Sequence, residues 1–412
     1  MKTVILAGGK GLDLYPLTET RPKPMITLLG KPILQYLIEE LQQIGLNDIV
    51  IVVGYKGEQI KEYFKNGLDF NVNIQYADQG EKEGIESALL AAEEFVANDS
   101  EFLLLFGDIV PEKGLMQRAL NAFENTQADM TMTLTLRGDT GDFGIVEIDS
   151  MGMVIKAGIK KINQASESKY VDAGCFIIRT DIFDEIRTQQ SLSKAINARI
   201  EKGDKVSAAI WEKEWVDIGK PWNIIEANRL LLSNITESRI AKDVSISTNV
   251  ELKNAVIIEK NVEISSGTVL NGPVYIGANT YLGNNVLIRD HCSIGKGSLI
   301  GFGSEIKNSV LFDEAKVFRL CYIGDSVIGQ NTSVSSGVMT VITETGMKEV
   351  SMNINGKKVS TGLLKLGAII GDNCDIGVNT LIFPGRKISS NSVVEPGTTI
   401  KDDYESEKRG NI

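Results

Sequence analysis

The first half of the chain alternates short apolar runs with amphipathic stretches. Four apolar runs have the length of buried strands, at 3–7, 49–53, 102–106 and 131–136. Between them, apolar residues at helical spacing predict helices such as 32–43, 58–64 and 83–95. Strands that alternate with helices indicate a doubly wound α/β domain with a mostly parallel sheet. Such sheets bind ligands beyond the carboxyl ends of their strands, so the loops after Ala7 and Phe106 are candidate positions for chemistry.

The second half follows a different period, which is six residues long. An aliphatic side chain recurs at every sixth position from 240, and a small or β-branched residue follows four positions after each of the first eleven. The first run consists of Ile240, Ile246, Leu252, Ile258, Ile264, Leu270, Ile276, Leu282, Ile288, Ile294, Ile300 and Ile306. A second run from 370 to 400 keeps the step in a different phase. Three short strands of six residues form one coil of a parallel β-helix with the aliphatic residues stacked inside.

These two periods set the predicted domain organisation. We expect an α/β domain at 1–221, a linker helix within 222–239, a hexapeptide-repeat β-helix at 240–401 and a polar tail at 402–412. Residues 338–361 break the repeat, and Glu344-Thr345-Gly346 and Asn355-Gly356 there resemble hairpin turns. We therefore predict a loop that leaves the coil at 338–361.

Composition and charge narrow the classes of partner. The chain has 43 basic and 54 acidic residues, a net charge of −11, which argues against nucleic acid or an anionic membrane as a partner. It carries neither a signal-peptide pattern nor an apolar run of roughly 20 residues, so we predict a cytoplasmic protein. Its four cysteines lie far apart and are expected to be free thiols. The single histidine, His291, excludes a multi-histidine metal site and is expected at an exposed corner.

The loop after the first predicted strand carries the most specific motif. Gly8-Gly9-Lys10-Gly11 opens it, and Arg21-Pro22-Lys23-Pro24 ends it. Glycines at a strand end let backbone N–H groups approach a base or phosphates. The whole string resembles the signature of the sugar-1-phosphate nucleotidyltransferases, the NDP-sugar pyrophosphorylases. These enzymes join a nucleoside triphosphate to a sugar 1-phosphate and release pyrophosphate.

The resemblance extends through a Rossmann-like domain and implies a site. It assigns Lys23, Asp108 and Asp217 to catalysis, the two aspartates as ligands of Mg²⁺, which prefers hard oxygen ligands. It assigns nucleotide binding to Gly8, Gly9, Gly11, Gln79, Gly84 and Gly107. It assigns sugar binding to Gly144, Lys160 and Asp172. The implied partners are a nucleoside triphosphate and a sugar phosphate, or the NDP-sugar product.

The combination of this α/β domain with a β-helix points to a smaller group of relatives. Trp215 to Asn223 and Tyr322 to Ser326 are similar to archaeal two-domain relatives of the bifunctional N-acetylglucosamine-1-phosphate uridylyltransferase/glucosamine-1-phosphate acetyltransferase. This resemblance implies a left-handed β-helix and a homo-oligomer, a trimer through that β-helix. It also implies an acyltransferase-like site. Its residues would be Arg289, Lys307, Arg319, Tyr322 and Lys348.

Several positions depart from the nucleotidyltransferase pattern. The family has a threonine and an arginine after Gly11, where this chain has Leu12 and Asp13. The family arginine neutralises the triphosphate, and losing one preorganised donor commonly costs roughly 10²–10³ in rate. The family also has a glutamate at Ile159, a threonine at Ile85 and an asparagine at Asp172. We expect reduced activity; a role for Asp13 as an extra metal ligand is the alternative.

The acyltransferase-like site differs from that of its relatives at the residue that would act as the general base. Relatives have a histidine where this chain has Arg319, and a guanidinium cannot accept a proton at physiological pH. An asparagine and a second lysine of the excursion loop are replaced by Ile342 and Ser351. We therefore expect no acetyl transfer and no use of acetyl-CoA.

Three hypotheses follow for the whole chain. It could be an active nucleotidyltransferase with an altered pocket. It could be a catalytically weak or silent paralogue that binds nucleotide or NDP-sugar in a regulatory or scaffolding role. A purely structural β-helix protein is the third, but it leaves the glycine turn and both aspartates without an explanation.

Overall fold

The computed structural model describes residues 1–137, 143–159 and 168–405. Lys160 and the end of the predicted tail lie outside the described residues. Contacts group the chain into two compact units, the first made of Met1–Lys10, Pro22–Met25 and Ile33–Asp217. The second unit contains Gly11–Arg21, Ile26–Pro32 and the chain from Ile218 onward. Both of those short segments lie inside the region predicted as an α/β domain, yet they pack with the β-helix.

In the described part of the chain, nine strands of the first unit form one mixed sheet. Strand numbers count the hairpin β2 (Thr27–Leu28) and β3 (Lys31–Pro32) of the second unit as well. The first unit contains β1 Lys2–Leu6, β4 Asp48–Val53, β5 Asn73–Asp78, β6 Glu101–Phe106, β7 Ile109–Pro111, β8 Met130–Leu136, β9 Ile145–Ile148, β10 Val154–Ile159, β11 Tyr170–Arg179, β12 Val206–Trp211 and β13 Trp215–Asp217. The main sheet runs β10-β9-β11-β6-β1-β4-β5, with β8 beside β11 and β12 beside β8. Strands β7 and β13 form a separate pair.

Helices cover both faces of this sheet. They are α1 Ile33–Gln43, α2 Gly57–Phe64, α3 Ile85–Val96, α4 Leu115–Thr126, α5 Phe183–Gln189 and α6 Leu192–Glu201. Side chains alternate across the central strand, so Val4 joins one apolar core and Ile5 joins the other. The centre of the sheet, from β6 through β1 and β4 to β5, is parallel. The doubly wound α/β prediction is therefore confirmed.

From Ile218 onward, the second unit contains helix α7, Asn223–Ser233, and then a coil with three parallel sheets of eight strands each in the described residues. One sheet contains Arg239–Ile240, Val256–Ile258, Val274–Ile276, Cys292–Ile294, Val310–Leu311, Val327–Ile328, Ile369–Ile370 and Lys387–Ile388. The next contains Ser245–Ile246, Glu263–Ile264, Tyr281–Leu282, Leu299–Ile300, Lys316–Val317, Ser333–Val334, Asp375–Ile376 and Val393–Val394. The third contains Glu251–Lys253, Val269–Asn271, Leu287–Ile288, Glu305–Lys307, Tyr322–Gly324, Met339–Thr340, Leu381–Ile382 and Thr399–Ile400. The predicted β-helix is confirmed.

The hexapeptide phase changes because two turns of the coil are one residue short. Ile276 pairs with Ile294, a step of 18 residues, whereas Ile294 pairs with Leu311 and Leu311 with Ile328, steps of 17. The repeated side chains still stack into one continuous buried core. The run of period six therefore ends at Ile306 although the coil itself continues.

Corners of the coil are occupied by residues with left-handed backbone, and most of those that are not glycine are asparagines. Asparagine tolerates this conformation better than other residues with a Cβ. His291 takes such a corner, with φ of 59°. Its Nδ1 lies 3.0 Å from Asp290 Oδ2 and its Nε2 lies 3.3 Å from Ser233 Oγ. Only 21% of its side chain is exposed, so His291 is at a corner as expected but is more buried than expected.

The excursion from the coil lies between the strands Met339–Thr340 and Ile369–Ile370. It contains the antiparallel hairpin Ser351–Ile354 and Lys357–Ser360. Asn355 and Gly356 form its turn with φ of 49° and 79°, as a type I′ turn requires. Around Glu344 the chain makes a turn closed by the Met347 N–H, but in the described residues it joins no pair of strands.

A search of the described residues finds no helix that is both long enough and apolar enough to cross a membrane.

Candidate functional site

The glycine turn follows β1 at the carboxyl edge of the parallel strands. Gly8 accepts a hydrogen bond from the Tyr55 N–H at 3.0 Å, which holds the turn beside the end of β4. A Cβ at Gly8 would collide with Gln79 Oε1, so glycine is required for this close approach. A Cβ at Gly9 would meet no atom within 4 Å. The turn therefore presents backbone to open space at the sheet edge.

Gln79 follows β5 at the same edge. Its Nε2 donates to the Gly84 carbonyl oxygen at 2.9 Å, which fixes the orientation of the amide. Gly84, with φ of 107°, lies directly before α3. The resemblance assigns both Gln79 and Gly84 to nucleotide binding. In the structure, Gly84 holds the side-chain amide of Gln79 in place.

Two aspartates come together through the pairing of two short strands. Asp108 is the second residue after β6, and β7 begins at the next residue. β7 pairs with β13 in a register that sets Ile109 opposite Asp217. Lys23, in the 3-10 turn Lys23–Met25, forms an ion pair with Asp108 Oδ2. The three residues predicted to be catalytic therefore lie in one neighbourhood.

All these groups line one cavity of about 430 Å³ inside the first unit. Its lining includes most of the predicted nucleotide, metal and sugar residues. They are Gly8, Gly9, Lys23, Gln79, Gly84, Asp108, Asp172 and Asp217. The apolar part of the lining includes Leu6, Ala88, Phe106, Phe143 and Trp215. A volume of this size lies within the usual range of small-molecule sites.

Negative charge dominates the polar lining. Burial and the nearby charge of Asp108 raise the pKa of Asp217 to about 6, although Lys23 and Arg137 oppose that shift. Loss of water around the carboxyl raises the pKa of Asp172 to about 6 as well. Among the described residues that line the cavity, three carboxylates face a single lysine. The cavity is therefore suited to a ligand that arrives with a cation.

The donor set fits Mg²⁺. Asp108 and Asp217 offer hard carboxylate oxygens, and Mg²⁺ is usually held by one or two carboxylates together with substrate phosphates. The described residues contain no group of three or more histidine, cysteine or acidic side chains arranged to hold a metal alone. A cation here would therefore share its coordination with a bound phosphate.

Sequence reasoning missed Arg137. Its guanidinium lies over the rings of Phe143 and Trp215, with 4.9 Å and 5.3 Å to the ring centroids. It directly follows β8, which runs parallel to β6 because both are antiparallel to β11. Arg137 therefore lies at the same sheet edge as Asp108. The rule that pointed to the loops after Ala7 and Phe106 would have found Arg137 if it had been applied to β8.

Three glycines that were predicted to bind nucleotide or sugar do not line the cavity. Their role is in the conformation and packing of the backbone. A Cβ on Gly107 would approach the Leu6 carbonyl oxygen to 2.7 Å, and one on Gly144 would approach Gly158 Cα to 2.9 Å. Gly11 adopts a left-handed conformation before the turn Leu12–Leu14 and belongs to the second unit. These three glycines therefore allow close packing or a turn.

Asp13 is paired within the second unit. Its Oδ2 forms an ion pair with Lys220, and its Oδ1 accepts a hydrogen bond from Asn355 Nδ2 at 2.5 Å. Lys220 lies just before α7, and Asn355 forms the tip of the excursion hairpin. The negative charge of Asp13 is thus partly compensated by a neighbouring lysine.

Four of the five predicted acyltransferase-like residues lie on neighbouring coils, and Lys348 lies in the excursion. Arg289 pairs with Glu305 at 2.9 Å, and Lys307 pairs with Asp325 at 2.6 Å. Tyr322 stands opposite Glu305 in the sheet register, and the charges of Asp325 and Glu305 add to the burial that raises its pKa. Arg319 and Lys348 are exposed. The structure therefore brings Arg289, Lys307 and Tyr322 together around two carboxylates.

The glycine turn, the oriented amide and the acidic cavity lie together in one α/β domain. The family model described as Nucleotidyl transferase matches residues 2–234, and a model of the GMPPB C-terminal domain matches 270–362. The chain therefore belongs to the nucleotidyl transferase family.

Full-length relatives combine both units. The chain is 39% identical to a bifunctional protein GlmU of Methanococcus maripaludis, with 98% of this chain and 96% of that protein covered. It is 34% identical to a bifunctional sugar-1-phosphate nucleotidylyltransferase/acetyltransferase of Sulfurisphaera tokodaii, with 98% of both covered. A solved UDP-glucose pyrophosphorylase from Acinetobacter baumannii matches with a TM-score of 0.50 at 20% identity, covering 55% of this chain and 92% of that one. The solved structure supports the fold of the first unit.

The raised pKa of Asp172 predicts a pH-dependent cost to stability. At pH 8 the carboxyl is ionised in both the folded and the unfolded chain, and the folded protein carries the cost of the buried charge. As the pH falls through 6, the folded protein binds a proton before the unfolded chain does, so the free energy of unfolding rises. Asp172→Asn should therefore stabilise the protein by about 1–3 kcal/mol at pH 8, with a smaller gain at pH 5.

Thermal unfolding at the two pH values measures this difference. Asp69→Asn is the control, because Asp69 is exposed and paired with Lys65 on the surface. It should shift the melting temperature little and equally at both pH values. A melting temperature of Asp172→Asn at or below that of the wild type at pH 8 would contradict the account of Asp172.

Proposed function

We propose that this protein is a Mg²⁺-dependent sugar-1-phosphate nucleotidyltransferase that converts a nucleoside triphosphate and a sugar 1-phosphate to an NDP-sugar and pyrophosphate. The observation that carries the proposal is the convergence of Lys23, Asp108, Asp217 and Gln79 on one cavity. The names of the full-length relatives point to the same chemistry.

In phosphoryl transfer of this kind, the protein acts mainly by positioning the reactants and by stabilising charge. An oxygen of the sugar phosphate attacks the α-phosphorus, the new O–P bond forms, and the bond to the β-phosphate oxygen breaks as pyrophosphate leaves. The attacking oxygen is already an anion, so no general base is required. A chain with one histidine can therefore perform this reaction.

Each residue of the cavity has a role in this proposal. Gln79 binds the edge of the base through its fixed amide, while the Gly8–Gly9 backbone lies against the nucleotide. Lys23 supplies positive charge where the α-phosphate gains negative charge. A bound Mg²⁺ would be held by Asp108 and Asp217 and would offset charge on the triphosphate. Asp172 lies where a hydroxyl or amine of the sugar could donate a hydrogen bond.

We also propose that turnover is slower than in a relative with arginine at position 13. Asp13 supplies no positive charge to the phosphates, and its pairing with Lys220 also occupies that lysine. The family pattern also has, at the position of Ile159, a glutamate that would accept hydrogen bonds from sugar hydroxyls. Together these changes reduce transition-state stabilisation without removing the cavity.

Pyrophosphate release over a panel of nucleoside triphosphates and sugar 1-phosphates tests the proposed reaction. Lys23→Met and Asp217→Asn should each lower kcat/KM by roughly 10²–10³, because each removes charge that acts on the phosphates. Lys65→Met and Asp375→Asn, at exposed positions, are the matched controls and should retain wild-type rates.

Two results separate the alternatives. Mg²⁺-dependent nucleotide binding without turnover by the wild type, with turnover restored by Asp13→Arg, would support a silent paralogue with a binding role. Failure to bind any nucleotide would contradict the proposed function altogether. Turnover at an ordinary rate would contradict only the proposed effect of Asp13 and Ile159.

Acetyl transfer is not expected from the β-helix, because Arg319 cannot take a proton from a sugar amine. An assay with acetyl-CoA and an amino-sugar 1-phosphate should show no free thiol produced above the uncatalysed rate. Arg319→His should raise that rate if the base alone is missing, and Lys242→His, at an exposed position outside this site, should leave it unchanged. Acetylation by the wild-type protein would show that another group accepts the proton.

We further propose that copies of the chain assemble through the β-helix as a trimer. Phe302, Phe318, Leu320 and Met339 expose between 38% and 60% of their surface on its coils, which is unfavourable in water.

We also propose a cytoplasmic location, because all four cysteines are free and buried, as in proteins of reducing compartments.

A further inference from the structure

The segment Gly11–Arg21, here called the strap, packs on the coils of the second unit. Its last three residues make a group of these contacts. Glu19 Oε2 accepts the Ser390 N–H at 2.8 Å, Thr20 donates to Asp372, and Arg21 forms an ion pair with Asp372. The strap therefore ends in a cluster of charged and polar contacts with the β-helix.

The pair between Arg21 and Asp372 is buried. The side chains are 9% and 4% exposed. Asp372 Oδ1 accepts the Gln330 N–H at 2.6 Å, and the Arg21 guanidinium lies over the Phe312 ring at 4.8 Å from its centroid. A buried charge that loses its partner is strongly destabilising, so this pair fixes one arrangement of the strap.

Further contacts also hold the strap, and the segment beyond Met25, within the second unit. At its beginning, Asp13 pairs with Lys220 and Asn355. Beyond Met25, the hairpin at Ile26–Pro32 also belongs to the second unit, where Leu29 packs with Tyr275 and Leu232. The turn Lys23–Met25 is therefore flanked along the chain, on both sides, by segments that the β-helix holds.

We propose that Arg21 and Asp372 are positioning residues for Lys23 in nucleotidyl transfer, an inference that rests on the proposed function. Lysine is a compact charge on a flexible stem, so the location of its ammonium depends on the backbone that carries it. Arg21 is two residues before Lys23, and Pro22 between them restricts the backbone. Fixing the guanidinium against Asp372 fixes the start of the turn that presents Lys23.

Asp372→Asn tests the proposal while it keeps the size of the side chain. An asparagine oxygen can still accept the Gln330 N–H, but its NH₂ group then faces the guanidinium and the ion pair is lost. Hydrogen exchange of the Met25 amide, which donates to the Pro22 carbonyl at 2.9 Å, should become roughly tenfold faster. In parallel, kcat/KM for the triphosphate should fall roughly tenfold to hundredfold, while KM for the sugar phosphate stays within about twofold.

Asp313 provides a matched control two coils away. Its Oδ1 accepts the Lys296 N–H at 3.0 Å, as Asp372 does with Gln330, but its other oxygen pairs with Lys296 Nζ at 3.4 Å. Asp313→Asn should leave both the Met25 exchange and the kinetics near wild type. Equal effects of Asp313→Asn and Asp372→Asn would overturn the proposal, because the loss would then be a general effect on the coil.

Two further measurements keep the test decisive. If Asp372→Asn does not fold, Thr20→Val removes one donor to Asp372 and should show the same pattern with smaller changes. If the wild type has no transferase activity, the proposed function fails, and the exchange of the Met25 amide alone decides whether the pair orders the turn. Unchanged exchange in Thr20→Val and in a folded Asp372→Asn would refute the positioning role.

Discussion

The excess of negative charge in the cavity is the constraint on which the account of this site depends. Asp108, Asp172 and Asp217 surround a space whose lining offers one lysine in the described residues. Burial and the nearby charge of Asp108 raise the pKa of Asp217, so ionisation of this carboxyl beside Asp108 is unfavourable. In the proposed function, a divalent cation would relieve that repulsion and would also balance the charge of a triphosphate. The proposed function therefore links metal binding to nucleotide binding through this charge pattern.

The fold creates this pattern by bringing strand ends to one edge. The glycine turn, Gln79, Asp108 and Arg137 follow β1, β5, β6 and β8, and all four strands end at that edge. Asp217 reaches the same place through the pairing of β13 with β7. Lys23 alone comes from a turn whose flanking segments pack elsewhere. The proposed positioning of Lys23 by Arg21 and Asp372 rests on this neighbourhood along the chain.

Much of the fold could be predicted because periodicity reports burial directly. Ile300 and Ile306 recur at six residues because each points into the coil, and the apolar runs at β1 and β4 are long because both faces are buried. Gln79, Asp108 and Asp217 could be predicted from their resemblance to family motifs, and the structure places them around one cavity. Whether they perform the assigned roles stays a prediction.

Other features depend on contacts between residues far apart in the sequence. Nothing local to Asp13 indicates Lys220 or Asn355 as partners, and nothing in Arg21 indicates Asp372, 351 residues later. The sequence pattern does not reveal the shortened turns of the coil after Ile294. A missing residue interrupts the six-residue period in the same way as the end of the repeat would. Arg137 was missed because β8 was considered only as a strand and not as a strand whose end meets the site.

The coupling of charge between metal and nucleotide is the central claim, and one titration tests it most directly. Calorimetry of the wild-type protein with a non-hydrolysable triphosphate should be done with Mg²⁺ and again with the metal chelated, at pH 8, where the carboxylates are ionised. The account predicts binding at least about tenfold tighter with Mg²⁺, because three carboxylates and a triphosphate otherwise repel each other. Equal affinity with and without Mg²⁺ would contradict it.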